Sequence, residues 1–390
     1  MWSNWKEKEL KKRQKQQQNK SGMRNRKIVI AGGGTGGHIF PAVAIANALK
    51  KQAPDTEILF IGAKGKMEME KIPEAGFRIE GLDIAGFNRS SLIKNLALPY
   101  KLVKSFFQVK KIFSEFKPDA AIGVGGYSSY PVLRYAQGKG IPTFIHESNS
   151  FAGRSNIMLG KKATKVFVAV DGMETFFPGD KIMITGNPVR SAIANASITR
   201  EEGISFFGLD PAKKTILSIG GSLGAKSINE AMEAGLEAID KAGLQLIWQT
   251  GKPYAEKAQA AVHGMTNTWA GPFIKEMEYA YAAADILVSR AGAMAIAEIT
   301  VMKKPAVFVP FPFAAEDHQT ANARKMEMHN AGIMIADREA KTSLIPVVIA
   351  LAKDEKRQME IKEQAGKLSV LNADEKIASA ILAELDKGRI

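Results

Sequence analysis

Short apolar runs alternate with longer stretches of helical spacing along this chain from Lys27 onwards. In the first half, apolar runs of strand length occupy Lys27–Ala31, Glu57–Ile61, Asp119–Val124, Thr143–His146 and Lys165–Val168. Between the first two runs, Phe40–Gln52 has the spacing of a helix, and Pro41 suits its first turn. Alternation of this kind predicts a mostly parallel sheet covered by helices.

The same alternation restarts after Gly186–Arg190, a turn-rich segment suited to link two domains. In the second half, strands are predicted at Thr215–Ile219, Leu244–Gln249, Asp285–Ser289 and Ala306–Pro310. From Leu351 onwards the sequence is helical and highly charged, with no further strand. We therefore predict two α/β domains whose parallel sheets face a shared cleft.

The predicted domains cover residues 23–190 and 191–365. A disordered basic tail is expected over residues 1–22, and a C-terminal helix over residues 366–390 is expected to pack back on the N-terminal domain. Residues 1–27 contain ten Lys and Arg against two Glu, and so supply +8 of the net charge of +14. A basic tail more often solubilises a protein or contacts anionic surfaces than reads a base sequence, so no nucleic acid is expected as a partner.

Missing residue types narrow the chemistry of the chain. There is no cysteine, which excludes disulfides, thiolate catalysis and cysteine-ligated metal. There is neither an Asp-x-Asp motif nor a histidine and carboxylate cluster with metal-ligand spacing, so we expect no metal and no other cofactor. The longest stretch without Asp, Glu, Lys or Arg is Ile28–Leu49. It contains a loop with five glycines, which makes it a poor candidate for a transmembrane segment.

A glycine-rich loop, Gly32–Gly37, follows the first predicted strand and opens a helix. Such loops expose backbone N–H groups at a helix N-terminus, where the helix dipole favours a phosphate. The loop also satisfies the G-x-G-x-x-G pattern of dinucleotide sites, but those sites need an acidic residue at the end of the second strand. Here Ile61 is followed by Gly62–Lys64 without an acid, which disfavours an NAD-dependent oxidoreductase.

His38 directly follows this loop, at the carboxyl edge of the sheet where open α/β folds bind ligands. An imidazole is suited to accept a proton from a hydroxyl near neutral pH. The alternative is a histidine that only forms a hydrogen bond to its own loop. We predict that His38 is catalytic.

Two junctions in the second half have similar chemistry. Gly220–Ala225 follows a predicted strand and carries Ser222, whose hydroxyl suits a phosphate; the alternative is a tight turn. At Ser289–Ala293, Gly292 and Ala293 leave another helix N-terminus unobstructed. Glu298 lies one to two turns into that helix, where a carboxylate can accept two hydrogen bonds from a ribose diol, unless it is an ordinary exposed glutamate. Gln319 is suited to sugar hydroxyls or to a polar helix start.

The stretch Leu92–Phe116 is rich in aromatic and aliphatic residues interleaved with lysines. One interpretation is an amphipathic helix with its apolar face on the core and its lysines in solvent. The other is a helix that docks on an anionic bilayer. The sequence pattern leaves both open.

Seven motifs in this order resemble glycosyltransferase family 28. They are Gly33–Pro41, Gly125–Tyr127, His146–Asn149, Gly186–Arg190, Gly220–Ala225, Ser289–Ala293 together with Glu298, and Asp317–Gln319. The resemblance covers the chain from Arg26 to the C-terminus, whereas residues 1–22 match nothing in the pattern. It implies two Rossmann-like domains of the GT-B type.

The resemblance also implies an activity. It indicates metal-independent, inverting transfer of GlcNAc from UDP-GlcNAc to the MurNAc 4-hydroxyl of lipid I, giving lipid II and UDP in peptidoglycan synthesis. The N-terminal domain would face the acceptor and the membrane, and the C-terminal domain would bind UDP-GlcNAc. The enzyme would be peripheral on the cytoplasmic face of the cell membrane, in contact with anionic phospholipid. A UDP-GlcNAc 2-epimerase is the nearest alternative.

The same resemblance implies roles for individual residues. His38 would be the catalytic base, the acceptor would contact Tyr127 and Glu147, and UDP-GlcNAc would contact Thr35, Gly36, Gly37, Asn149, Arg190, Ser222, Ile274, Ala293, Met294, Ala295, Glu298 and Gln319. Within this set, Ser222 would meet the diphosphate, Ile274 would meet uracil through its backbone, and Glu298 would hold the ribose. Gln319 would contact the GlcNAc hydroxyls.

Overall fold

The computed structural model describes residues 25–86, 95–194, 196–221, 223–314 and 317–387. Four predictions fall wholly or partly outside these ranges: the tail over residues 1–22, the start of the helix predicted from Leu92, the phosphate contact Ser222 and the end of the C-terminal helix predicted over residues 366–390. Within the described residues, strands and helices alternate in two halves, each with its own parallel sheet. The predicted α/β architecture with two parallel-sheet domains is confirmed.

The first half builds a seven-stranded sheet from β1 to β7. Its elements are β1 Lys27–Ala31, α1 Gly36–Gln52, β2 Glu57–Ala63, α2 Glu68–Glu74, β3 Arg78–Leu82, α3 Leu98–Phe116, β4 Ala120–Gly123, α4 Ser129–Gly138, β5 Thr143–Glu147, α5 Arg154–Gly160, β6 Lys165–Val168 and β7 Ile182–Ile184. The strand order is β3-β2-β1-β4-β5-β6-β7. The order reverses between β1 and β4, and ligands bind at such a switch point.

The second half builds a six-stranded parallel sheet in the order β10-β9-β8-β11-β12-β13. Its elements are α6 Ser191–Ala194, α7 Arg200–Phe206, β8 Thr215–Ile219, α8 Lys226–Lys241, β9 Gln245–Gln249, α9 Ala255–Ala261, β10 Thr268–Gly271, α10 Met277–Ala283, β11 Ile286–Ser289, α11 Ala293–Val301, β12 Ala306–Phe308, α12 His318–Met328, β13 Ile333–Met334, α13 Ala340–Lys353, α14 Glu355–Leu368 and α15 Ala373–Lys387. Here the order reverses between β8 and β11, so the second glycine loop follows one switch-point strand.

The central strands are apolar on both faces because helices cover both sides of each sheet. In β1, Ile28 and Ile30 join one core cluster with Ile45 of α1. The alternate residue Val29 joins the opposite cluster, with Val132 of α4. Successive strand residues therefore fill two separate cores, as the continuous apolar runs in the sequence require.

Four strands were missed by the sequence analysis: β3, β7, β10 and β13. These are the four outer strands of the two sheets. Each is short and mostly exposed or half-buried, so none has the continuous apolar run that marks a central strand. The strands that were predicted agree with the observed bounds to within two residues.

Helix α1 begins at Gly36 and not at Phe40, so the prediction that Pro41 lies in its first turn is wrong. The backbone carbonyl of Thr35 accepts hydrogen bonds from the N–H groups of His38 and Ile39, at 3.1 and 3.2 Å. The first helical turn is therefore built from the glycine loop itself. This places His38 on the first turn of the helix, at the edge of the sheet.

The end of the chain returns to the first half. Ile377, Ile381 and Leu385 of α15 belong to the same core cluster as Ile45 and Leu49 of α1. The return crosses the segment that links the two halves, since a side chain added at Gly186 (φ +79°) would lie 2.6 Å from Val370. The C-terminal helix thus completes the core of the first half.

We expect Ile381→Ala to lower the free energy of unfolding by about 2 to 5 kcal/mol, because the change leaves a cavity in that core. Ile381 is fully buried. Chemical denaturation measures the loss. The control is Met359→Ala, a change at a residue that is 69% exposed. Equal and small effects of both changes would show that α15 does not stabilise the first half.

Candidate active site

A cavity of about 2210 Å³ lies between the two halves. The carboxyl ends of both parallel sheets face it, since the loops after β1, β4, β5, β8, β9 and β11 all contribute to its wall. The structure brings together there the described residues that the sequence analysis named: Thr35, Gly36, Gly37, His38, Tyr127, Glu147, Asn149, Arg190, Ile274, Ala293, Met294, Ala295, Glu298 and Gln319.

His38 is half-buried in the wall of this cavity. Its Nδ1 lies 3.0 Å from the carbonyl oxygen of Gly33. A carbonyl only accepts hydrogen bonds, so this contact requires a proton on Nδ1, and in the neutral ring Nε2 then carries the lone pair. Nε2 lies beside Gly125, where an added Cβ would be 2.7 Å away. The histidine therefore does bond to its own loop, through Nδ1.

The first glycine loop is bonded to Glu68, a residue that the sequence analysis did not single out. The N–H of Gly34 donates to Glu68 Oε2 at 2.8 Å. That N–H is therefore not available to a phosphate. Glu68 is almost fully buried, and its carboxylate lies directly beneath the loop. No local sequence signal separates it from the other glutamates of its short helix, Glu70 and Glu74.

Glu298 is buried and holds two partners. Arg190 donates from Nε to Oε1 at 3.0 Å and from Nη2 to Oε2 at 3.2 Å. Tyr281, which the sequence analysis missed, donates its hydroxyl to Oε2 at 2.9 Å. Burial disfavours the charged guanidinium, but the Glu298 carboxylate outweighs it and raises the pKa of Arg190. Burial, followed by the same carboxylate, raises the pKa of Tyr281, which stays a neutral donor.

The ion pair also joins the two halves of the molecule. The guanidinium of Arg190 lies over the ring of Phe40 in α1, 4.6 Å from its centroid, while its partner Glu298 lies in α11. Asn187 makes a second bridge, because its Nδ2 donates to the carbonyl of Ser148 at 3.1 Å and to that of Ala293 at 3.5 Å. The linking segment Gly186–Arg190 therefore contacts both halves of the molecule beside the cavity.

The first turn of α11 faces the cavity with Ala293, Met294 and Ala295. The first N–H groups of a helix have no acceptor within it, and the dipole makes this end positive. The extended Gly292 precedes the helix, and no atom lies within 4 Å of a Cβ added there. The turn therefore offers backbone donors to an anion, one to two turns from Glu298.

Gln249 connects two predicted binding segments. Its Oε1 accepts the N–H of Ile274 at 3.0 Å, and its Nε2 donates to the carbonyl of Gly221 at 3.1 Å. The backbone N–H of Ile274 thus has an internal partner. Gln319 similarly accepts the N–H of Phe311 on its Oε1 at 2.9 Å.

Glu147 accepts four hydrogen bonds from the loop that follows β5. Asn149 donates its N–H and Nδ2 to Oε1 at 3.1 and 3.2 Å, while Gly153 N–H and Asn156 Nδ2 donate to Oε2 at 3.0 and 2.9 Å. The carboxylate therefore holds Asn149 at the cavity wall. The neighbouring His146 is fully buried, and burial lowers its pKa to about 4, so it stays neutral at physiological pH.

Tyr127 is half-buried beside the first loop. Burial, and next the charge of Glu68, raise the pKa of its phenol, which stays a hydrogen-bond donor.

Across the described part of the chain, no three His, Asp or Glu side chains cluster as metal ligands do. None of the described helices is both long and apolar enough to cross a bilayer.

Comparison with known proteins matches both halves to one family. Residues 28–168 match the glycosyltransferase family 28 N-terminal domain, and residues 215–379 match the family 28 C-terminal domain. The chain is 50% identical over 368 residues to the UDP-N-acetylglucosamine–N-acetylmuramyl-(pentapeptide) pyrophosphoryl-undecaprenol N-acetylglucosamine transferase of Phocaeicola vulgatus, covering 94% of this chain and 98% of that one.

Solved structures give the same architecture. The crystal structure of Acinetobacter baumannii MurG has a TM-score of 0.71 at 27% identity, over 92% of this chain and all of that one. A UDP-GlcNAc 2-epimerase from Neisseria meningitidis bound to UDP-GlcNAc has a TM-score of 0.65 at 14% identity, over 92% of this chain and all of that one, which shows a shared fold alone. Two matched domains and the curated relative together show that this chain belongs to glycosyltransferase family 28.

Proposed function

We propose that this chain transfers GlcNAc from UDP-GlcNAc to the MurNAc 4-hydroxyl of lipid I, with inversion at the anomeric carbon. The observation that carries the proposal is the common cavity: a histidine with an available ring nitrogen and a helix N-terminus with a nearby carboxylate face it from opposite halves. These are the groups that a base-assisted displacement of a nucleoside diphosphate needs.

In the proposed reaction, the acceptor hydroxyl oxygen attacks the anomeric carbon of the donor sugar. The new carbon–oxygen bond forms as the bond to the diphosphate breaks, and the hydroxyl proton passes to Nε2 of His38. The N–H groups at the start of α11 stabilise the charge of the departing diphosphate. Asn149 and Tyr127 line the first-domain side of the cavity, where the acceptor would lie.

Donor binding would exchange partners at Glu298. The ribose diol needs the two carboxylate oxygens that Arg190 contacts. When the diol takes its place, the guanidinium is released beside the cavity that the diphosphate enters. Tyr281 stays bonded to Glu298 and keeps the carboxylate oriented. The two partners of one ion pair would then bind different parts of the nucleotide: Glu298 the ribose and Arg190 the diphosphate.

We place the lipid-linked acceptor near a membrane surface contributed by α3. Its buried residues include Val109 and Phe113, so part of the predicted helix faces the core. The opposite side exposes the apolar residues Tyr100, Val103 and Phe107. Leu96, just before the helix, and Leu102 are exposed as well. Exposed lysines at positions 104, 110 and 111 flank them. Apolar side chains ringed by lysines suit an anionic phospholipid surface.

UDP release from UDP-GlcNAc, with and without a lipid I analogue and in the presence of EDTA, tests the activity. We expect release only with the acceptor, and the same rate with the chelator. Conversion of UDP-GlcNAc to its C2 epimer without an acceptor would favour the epimerase alternative instead. Loss of turnover in EDTA would contradict the metal-independent reaction.

Replacing His38 by alanine should lower kcat by roughly 10²- to 10⁴-fold, which is the usual contribution of a general base. The affinity for UDP, measured by calorimetry, should stay within about twofold because the ring contacts its own loop and not the nucleotide half. The control is His263→Ala, a change at an exposed histidine. Near-normal turnover of the His38 variant would reject this role.

Glu298→Gln should weaken UDP binding by roughly tenfold to hundredfold, since hydrogen bonds to a charged group are lost. The same two affinities are measured with a UDP analogue that lacks both ribose hydroxyls. This analogue should bind the wild type and the variant with similar affinity. Equal losses for both nucleotides would mean that Glu298 does not contact the ribose. Glu256→Gln, at an exposed glutamate, is the control variant.

The double variant Tyr100→Glu and Phe107→Glu should reduce binding to phosphatidylglycerol vesicles by roughly tenfold or more, because both exposed rings are lost to the bilayer and two negative charges are added. Cosedimentation measures the bound fraction. Met328→Glu is the control, because this residue of the second domain is 82% exposed. Unchanged vesicle binding of the double variant would exclude α3 as the docking surface.

A further inference from the structure

We propose that Glu68 is a positioning residue for His38 and acts through a single peptide group. This inference rests on the proposed role of His38 as the base. Glu68 is the first residue of α2, thirty positions along the chain from the histidine. The two side chains are connected by the peptide bond between Gly33 and Gly34.

That peptide group has a hydrogen bond at each end. Its N–H, on Gly34, donates to Glu68 Oε2 at 2.8 Å. Its C=O, on Gly33, accepts from Nδ1 of His38 at 3.0 Å. Resonance makes the peptide a rigid and polarisable unit, so the two hydrogen bonds share one plane of conjugated atoms. The carboxylate, the peptide and the imidazole therefore form a continuous chain.

The chain of hydrogen bonds has a definite chemical effect. A negative carboxylate at the N–H end shifts electron density toward the carbonyl oxygen, which becomes a better acceptor. A better acceptor fixes the tautomer with the proton on Nδ1 and the lone pair on Nε2. It also stabilises the imidazolium that forms when Nε2 takes up the acceptor proton. A directly bonded carboxylate does this for the histidine of serine proteases; here a peptide group stands between them.

The surroundings of Glu68 are built for its carboxylate. Its second oxygen, Oε1, accepts the N–H of Ala63 at 3.0 Å, so each oxygen has a backbone donor. The side chain is only 1% exposed. A Cβ added at Gly33 (φ +152°) would lie 2.3 Å from the Glu68 carboxyl carbon, and one at Gly62 would lie 2.5 Å from its Cγ. Two glycines are thus required for this side chain to reach the loop.

The isosteric variant Glu68→Gln removes the charge and keeps the volume. We expect kcat to fall by roughly tenfold to hundredfold, less than the ~10⁴-fold loss seen when a directly bonded aspartate is replaced. The KM values for both substrates and the affinity for UDP should stay within about twofold. Glu74→Gln is the control, because this glutamate lies on the same helix but is exposed and paired with Lys71.

The decisive measurement repeats Glu68→Gln in the His38→Ala background. A positioning residue loses its effect once the base is gone, so we expect no further loss of kcat. A structural residue would cause the same fold-loss in both backgrounds, and that result would overturn the proposal, as would an unchanged kcat of Glu68→Gln alone. If His38→Ala itself keeps normal turnover, the proposed base fails first and independently.

A second measurement needs no folded variant of Glu68. Nitrogen-15 chemical shifts of the histidine ring report which nitrogen carries the proton, and His38→Ala identifies the signal in the wild-type protein. We expect neutral His38 to hold its proton on Nδ1. A proton on Nε2 would contradict the proposal, because that tautomer cannot donate to the Gly33 carbonyl.

Discussion

Both sheets are parallel throughout, and this constraint decides where the chemistry lies. Parallel strands send all their βα loops to one edge, and the two edges face the same cavity. In each sheet, the strand order reverses beside a strand that ends in a glycine loop. Side chains from distant parts of the sequence therefore meet there without any long loop. Arg190 and Glu298, 108 positions apart, are the clearest case.

Three buried carboxylates lie at this cavity or in the loops beside it, and they accept hydrogen bonds from different kinds of group. Glu68 and Glu147 accept only from groups of their own domain, mostly backbone N–H groups of adjacent loops. Such contacts hold the loops in place. Glu298 instead accepts from Arg190, a side chain that can be replaced by other donors. It is therefore the carboxylate suited to exchange partners with a substrate.

The sequence predicted the buried central strands of both sheets better than the outer strands. Central strands are covered on both faces and leave a continuous apolar run, whereas the outer strand β3 alternates exposed and half-buried residues and leaves none. The loops at the strand ends were found because glycine has a distinctive backbone. The partners Tyr281, Gln249 and Glu68 were missed, because their roles depend on contacts 17 to 34 positions away and no local pattern marks them.

The division of labour between the domains follows from one helix. α11 carries backbone donors on its first turn and Glu298 one to two turns later. The helix fixes the distance between these groups, so a nucleotide that contacts both would be held in one position along it. The proposed base, His38, belongs to the other domain, on the first turn of α1. In the proposed reaction the transferred sugar would lie across the cavity, so its position depends on how the two domains are held together. Arg190 and Asn187 provide that link, because each contacts both halves directly beside the cavity.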